Sequence, residues 1–147
     1  MRTVAALVAA NKRLRKVAYQ DSLTGIPNRR FFEERTNGRH GYLLVADLDG
    51  FKVAQDAHPE GHIYGDRVLR EFASFLFRQT RSERDRVAAR MGGDEFVVWC
   101  PTREGAQKIA ARIRQWSSND GKVTASVGIG YSMVDADADL YSNKHGK

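Results

Sequence analysis

Arg90-Met91-Gly92-Gly93-Asp94-Glu95-Phe96 constrains this chain more than any other segment. Paired glycines close a tight hairpin, because glycine tolerates positive φ without a steric cost. Val87–Arg90 precedes the pair and Glu95–Cys100 follows it, both strand-like, so an antiparallel hairpin is predicted here. Two carboxylates ride on the turn. Like charges held close repel, which makes the pair poor design for stability. It is suited to holding a divalent cation beside a phosphate. The bland alternative is an exposed acidic turn, and the segment taken alone does not choose.

The elements around the hairpin narrow the fold. Residues 3–19 carry no Gly or Pro and predict a helix. Val4, Leu7, Asn11, Leu14 and Ala18 repeat with 3-4-3-4 spacing. That spacing suits a short coiled coil with another copy, or one amphipathic helix packed on its own domain. Asp21–Asn28 is rich in turn formers. Arg29–Thr36 predicts a short helix, and Gly41–Leu48, largely apolar, a buried strand. A helix is expected over Phe51–Ala57. Another runs from about Gly65 to Thr80, with Leu69, Phe72, Phe75 and Leu76 facing inward. Glu104–Trp116 is helical with Ala106, Ile109, Ala110 and Ile113 inward; Val123–Tyr131 alternates as a strand; Asp135–Lys144 forms a last helix. The order β-α-α-β-β-α-β matches a ferredoxin-like, split βαβ fold of the α+β class, with an antiparallel sheet and helices packed on it. The boundary falls near residue 20, giving an N-terminal helix (1–20) and a compact domain (21–147).

Length and charge bound the partners. The 147 residues favour a single domain. One cysteine, Cys100, excludes an internal disulfide and makes a reducing, cytoplasmic setting the expectation. No apolar run reaches membrane-spanning length. Val4–Ala10 is followed, not preceded, by the basic run Lys12–Lys16, the wrong order for a secretory signal. The net charge of +6 suits a nucleotide or another anion. Neither basic run, Lys12–Lys16 nor Arg81–Arg90, interleaves aromatics for stacking on bases, so no nucleic-acid partner is expected. Four scattered histidines and one cysteine make no zinc pattern.

In the split βαβ plan the end of the first strand lies beside the hairpin. Asp47 then approaches Asp94 and Glu95, and three carboxylates converging from separate elements suit Mg²⁺ or Mn²⁺. Taken alone, Asp47-Leu48-Asp49-Gly50 reads as a turn after a strand. Backbone N–H groups at Gly50 and Phe51, with Lys52 one residue on, add an anion-binding corner. Lys144 and Lys147 add phosphate contacts if the last helix packs there. Asp66 either caps its helix or accepts hydrogen bonds from a base edge; His62 reads as a packed or loop histidine.

These motifs together resemble the GGDEF domain, the diguanylate cyclase family. Five segments carry the resemblance, in the family's order: Asp21–Arg30, Asp47–Lys52, Gly61-His62 with Gly65-Asp66, Gly92–Phe96, and Ala136–Tyr141 with Lys144. The resemblance implies a palm-type nucleotidyl cyclase domain that condenses two GTP into cyclic di-GMP and releases pyrophosphate. It implies a homodimer, at least a transient one, with one GTP on each subunit. By position, Asp47, the Leu48 carbonyl, Asp94 and Glu95 would hold two Mg²⁺ or Mn²⁺ ions per site. Asp94, Glu95 and Lys52 would be catalytic. Gly50, Phe51, Lys52, Lys144 and Lys147 would bind phosphate, and Gln55 and Asp66 the base. The chain departs from the family at five places. Gln55 stands where Asn is usual. The stretch holding His58-Pro59-Glu60 is two residues longer. The linker from Tyr131 to Ala136 is short, so a helix usual there is missing. Lys144-His145-Gly146-Lys147 is one residue tighter. Arg81–Asp85 lacks the Arg-x-x-Asp spacing of the family's product-inhibition site, so product inhibition is expected to be weak or absent. Two alternatives stay open: a GTP-binding or interaction module without turnover, and a related cyclic oligonucleotide synthase with altered base choice.

Overall fold

The computed structural model describes residues 3–81 and 85–145. Along the chain run α1 (Val4–Tyr19), α2 (Arg29–Thr36), β1 (Tyr42–Asp49), α3 (Phe51–Ala57), α4 (His62–Thr80), β2 (Val87–Gly92), β3 (Glu95–Cys100), α5 (Arg103–Gln115), β4 (Thr124–Gly130) and α6 (Met133–His145). The glycine hairpin forms as predicted, with φ of 150° at Gly92 and 53° at Gly93. The sheet order is β2-β3-β1-β4, every neighbouring pair antiparallel. Each crossover skips one strand, which is the split βαβ plan.

Both faces of the sheet are covered, and strand alternation assigns the residues. Leu44, Ala46 and Leu48 of β1 and Phe96 and Val98 of β3 face one way, onto Phe72 and Leu76 of α4 and Ile109 and Ile113 of α5. Phe72 meets Phe96 edge-on at 4.9 Å and Trp116 at 4.8 Å, joining α4, β3 and the end of α5. Burying such a ring stabilises the fold by about 2–3 kcal/mol. Leu43, Val45, Val97 and Trp99 face the other way, onto Phe32 of α2 and Ala136 of α6.

α1 is capped by Thr3, whose side chain accepts from Ala6 N–H, and it buries none of its residues. Val4 is 78% exposed and Leu14 68%. Of the two readings of the 3-4-3-4 stripe, packing on its own domain is not what the helix does. Only its C-terminal end is tied down: Asn28 donates from Nδ2 to Ala18 O and from its backbone to Tyr19 O.

Two helix starts correct the sequence reading. α4 begins at His62, not Gly65. Gly65 lies inside the helix, where a methyl group would overlap the Gln55 amide and crowd Phe51. The break is at Gly61, with φ of 52°. Asp66 is therefore a helix-interior residue and caps nothing. α6 begins at Met133 because Ser132 caps it, accepting from Asp135 N–H at 3.2 Å.

The start of α4 is pinned to the loop before β4. Tyr64 Oη donates to Asp120 at 2.7 Å, Ser118 Oγ donates to the same carboxylate at 2.6 Å, and Lys122 N–H at 3.1 Å. These bonds lower the Asp120 pKa to about 2, while burial and Asp120 push Tyr64 up to about 12. A depressed carboxylate adds stability that is full above its unfolded pKa and lost as pH falls through the folded one. Asp120→Asn is therefore expected to melt lower than the parent chain at pH 7. That gap should close between about pH 4 and pH 2. A gap in melting temperature that stays constant across this range would contradict it.

Candidate active site

Alternation along β1 carries Asp47 and Asp49 onto the same face as Leu43 and Val45, beyond the apolar core. Register pairs Asp47 with Glu95 of β3, so the hairpin carboxylates arrive at the end of β1. Asp94, next to Glu95 in the chain, comes close enough to Asp47 to feel its charge. Burial, and then the neighbouring Asp47 carboxylate, push the Asp94 pKa up to about 6. Glu95 is raised by burial and by Asp137, with Arg29 opposing. Among the described residues, no three Asp, Glu, His or Cys side chains group closely enough to cage an ion. Glu95, opposite Asp47 in register, also feels the Asp47 carboxylate, so the three expected carboxylates lie at this end of the sheet.

The other charge comes from α6. A methyl group on Gly128 or Gly130 of β4 would collide with the α6 backbone near Ala136 and Leu140, so the helix lies directly on the strand. Asn143 Nδ2 donates to Val127 O at 2.8 Å, and Asp139 accepts from Ile129 N–H at 2.8 Å. This docking brings Lys144 Nζ to 2.7 Å from Asp47 Oδ2 and 3.2 Å from Asp49 Oδ1. Burial works against the ammonium, but its bonds to Asp47 and Asp49 outweigh that and hold its pKa above the ordinary value. Ser126 Oγ also donates to Asp49.

Arg90 fixes the hairpin from behind. Its Nη1 donates to both Asp21 oxygens, at 3.1 and 3.2 Å; its Nε and Nη2 donate to Gly93 O at 2.9 and 2.7 Å. Asp21 also accepts from Thr24 N–H and Oγ1. Burial pushes the Asp21 carboxyl up, and the Thr24 and Arg90 bonds overcome it, so its pKa lies below the usual carboxylate value.

Just past the same end of β1, Gly50 takes a left-handed conformation with φ of 73° and opens α3. Phe51 and Lys52 form its first turn, Lys52 exposed. Gln55 and Asp66 are half-buried, one on α3 and the other on α4. A separate groove of about 640 Å³, lined among others by Arg15, Tyr19, Phe31 and Phe77, includes none of these residues.

Comparison with known proteins decides the family. Residues 18–146 match the family described as diguanylate cyclase, GGDEF domain. The chain belongs to the GGDEF family. The bifunctional diguanylate cyclase/cyclic di-GMP phosphodiesterase MucR of Pseudomonas aeruginosa is 34% identical over 94% of the chain, which covers 24% of that protein. The cyclic di-GMP phosphodiesterase PdeR of Escherichia coli is 36% identical over 71% of the chain, covering 16% of PdeR. The chain therefore spans about a quarter or less of the length of these curated relatives. Among solved structures, the coiled coil and GGDEF domain of DgcB from Caulobacter crescentus, in complex with c-di-GMP, superposes with a TM-score of 0.75. Identity there is 27%, with 97% of this chain and 89% of that one covered.

In this GGDEF domain the structure brings Lys144 onto Asp47, with Asp94 near enough to feel both charges. Glu95 lies on the same face, and Leu48 has its side chain in the α4/α5 core, leaving only its carbonyl to offer. Gly50, Phe51 and Lys52 share the turn after β1. Lys147 and residues 82–84 of the Arg81–Asp85 segment lie outside the described residues. No described helix is long and apolar enough to cross a membrane. Sequence reasoning missed Asp49 as a partner of Lys144, and the Asp21–Arg90 clamp. Arg90 stands two residues before Gly92, and a cation beside a carboxylate-bearing turn was the available signal.

Proposed function

We propose that this GGDEF domain is a diguanylate cyclase that joins two GTP molecules into cyclic di-GMP. Each 3′-oxygen bonds to the α-phosphorus of the other nucleotide, and two pyrophosphates leave. The observation that carries this reading is the meeting of Asp94 from the hairpin with Asp47 from β1, in a chain of this family.

The donor chemistry fits a hard divalent cation. Asp47 and Asp94 are oxygen ligands; burial, and then the Asp47 charge, raise the Asp94 pKa, and a cation would relieve both. Mg²⁺ is commonly held by one or two carboxylates plus substrate phosphates, so a three-carboxylate cage is not required. Asp47, Asp94 and the Leu48 carbonyl would hold Mg²⁺ or Mn²⁺, two ions per site, with Glu95 alongside. Bound there, the metal supplies charge neutralisation at the transferring phosphoryl group. The chain's own residues do the rest. Lys52, with the Gly50 and Phe51 backbone, binds the outer phosphates; Lys144 and Lys147 reach phosphate from the C-terminal end. Asp66 and Gln55 face the guanine. Two facing GTP-loaded subunits are required, and the apolar stripe of α1 is a surface through which two copies can pair.

A second reading, a GTP-binding module without turnover, is favoured by one contact. Lys144 already places a protein cation on Asp47 and Asp49. Purified chain incubated with Mg²⁺ and each NTP, singly and mixed, decides between them. Cyclic di-GMP from GTP alone is the expected product, with a rate rising more than linearly with protein concentration. GTP binding without product supports the second reading, and a product from ATP or from mixed nucleotides overturns the guanine assignment.

A further inference from the structure

Gln55, in the last turn of α3, and His62, the first residue of α4, are in direct contact: Gln55 Nε2 lies 3.0 Å from His62 Nδ1. An amide nitrogen donates and does not accept, so Nδ1 is the acceptor and the proton of the neutral ring sits on Nε2. The other end of the amide faces α4. Gln55 Oε1 lies over Gly65, where a methyl group would overlap it. His62 and Asp66 are one helical turn apart and share a face of α4.

The loop that joins the two helices is itself anchored. The His58 ring stacks on Tyr64 at 4.3 Å and 11°, and its Nδ1 accepts from Glu60 N–H at 3.1 Å. Glu60 pairs with Arg67 at 3.0 Å. The longer connection thus folds back onto α4 and delivers His62 to Gln55.

We propose that His62 is a positioning residue that sets the orientation of the Gln55 amide, and through it the preference for a base carrying a 2-amino group. The proposal rests on the cyclase reading above, in which Gln55 and Asp66 face the base. With one N–H taken by His62, the Gln55 amide keeps its carbonyl as an acceptor on the side facing Gly65, the residue before Asp66. Guanine matches two acceptors with its N1–H and 2-amino donors. Hypoxanthine lacks the 2-amino group, and adenine presents N1 as an acceptor. Without His62 the amide rotates and offers N–H or C=O alike, so the distinction weakens.

The test is equilibrium binding of the α,β-methylene analogues of GTP and ITP to the full chain, with Mg²⁺ present. The parent chain, His62→Ala, His62→Asn, Gln55→Ala and the double variant H62A/Q55A are compared. The parent is expected to prefer the GTP analogue by about tenfold, the worth of one good hydrogen bond. His62→Ala and Gln55→Ala should each reduce the preference to less than about threefold, and the double variant should be no worse than either, because one acts through the other. His62→Asn, whose Oδ1 can accept from Gln55, should recover most of it. A full preference in His62→Ala, or effects that add in the double variant, overturns the proposal while leaving the cyclase reading intact. Failure of the parent chain to bind the GTP analogue overturns both.

Discussion

Asp94→Asn is expected to lower cyclic di-GMP formation by about a thousandfold or more while leaving the melting temperature equal or higher. The direction of the stability change follows from the site. Asp94 is forced against Asp47 in a half-buried corner, and its pKa of about 6 means that folding disfavours its charged form. A neutral amide at that position removes the repulsion. It also removes an oxygen ligand and a charge where a phosphoryl group gathers negative charge, so turnover falls as stability holds. A companion variant separates the roles of the two carboxylates' neighbours. Lys144→Ala takes away the ammonium that sits on Asp47 and Asp49. The pair is partly exposed, and discounting for screening by water leaves it worth about 1 kcal/mol, so Mn²⁺ binding without nucleotide should tighten by about threefold to fivefold. Turnover should fall nonetheless, since Lys144 is assigned to phosphate. Turnover near the parent's in Asp94→Asn would remove the Asp47–Asp94 contact from the reaction; unchanged Mn²⁺ affinity in Lys144→Ala would show that the ammonium and the ion do not share ligands.

The fold was legible because local signals and long-range pattern agree. The Gly92-Gly93 turn fixes one hairpin, and the apolar alternation of β1 and β4 leaves few ways to complete the sheet. Helix limits were less legible where a glycine serves packing. Gly65 is read in sequence as the start of α4, but it lies within that helix, where its lack of a side chain lets α3 and α4 approach each other. Gly128 and Gly130 carry the same ambiguity: in sequence they weaken a strand, in the structure they let α6 lie on it and carry Lys144 to Asp47. The site divides along similar lines. Asp47 and Asp94 follow from topology alone, since antiparallel register brings the end of β1 to the hairpin. Asp49 is read as a turn residue until the position of α6 is known. The pairing of Gln55 with His62 depends on the path of the loop between them, which composition does not prescribe.

Arg90→Ala is expected to lower stability by about 2–4 kcal/mol, or roughly 5–15 °C in Tm, and to reduce turnover beyond what unfolding explains. The guanidinium is 14% exposed and its partner Asp21 17%, so water screens the pair little. Removing it leaves Asp21 half-desolvated with only Thr24 to serve it, and it leaves Gly93 O without the two donors that hold the turn. Arg90→Lys recovers little, because one ammonium cannot span two carboxylate oxygens and a carbonyl in a planar fork. The catalytic consequence is positional. Gly93 O is one residue from Asp94, so loosening it lets the carboxylate drift from Asp47, and a displacement near 1 Å is enough to cost about a hundredfold. Asp21→Asn keeps a weaker acceptor for Arg90 and leaves the Gly93 bonds in place, so it should share the stability loss but keep most of the turnover. Measured at a temperature where each variant is fully folded, a turnover loss in Arg90→Ala no larger than in Asp21→Asn would show that the clamp stabilises the domain without aiming the hairpin.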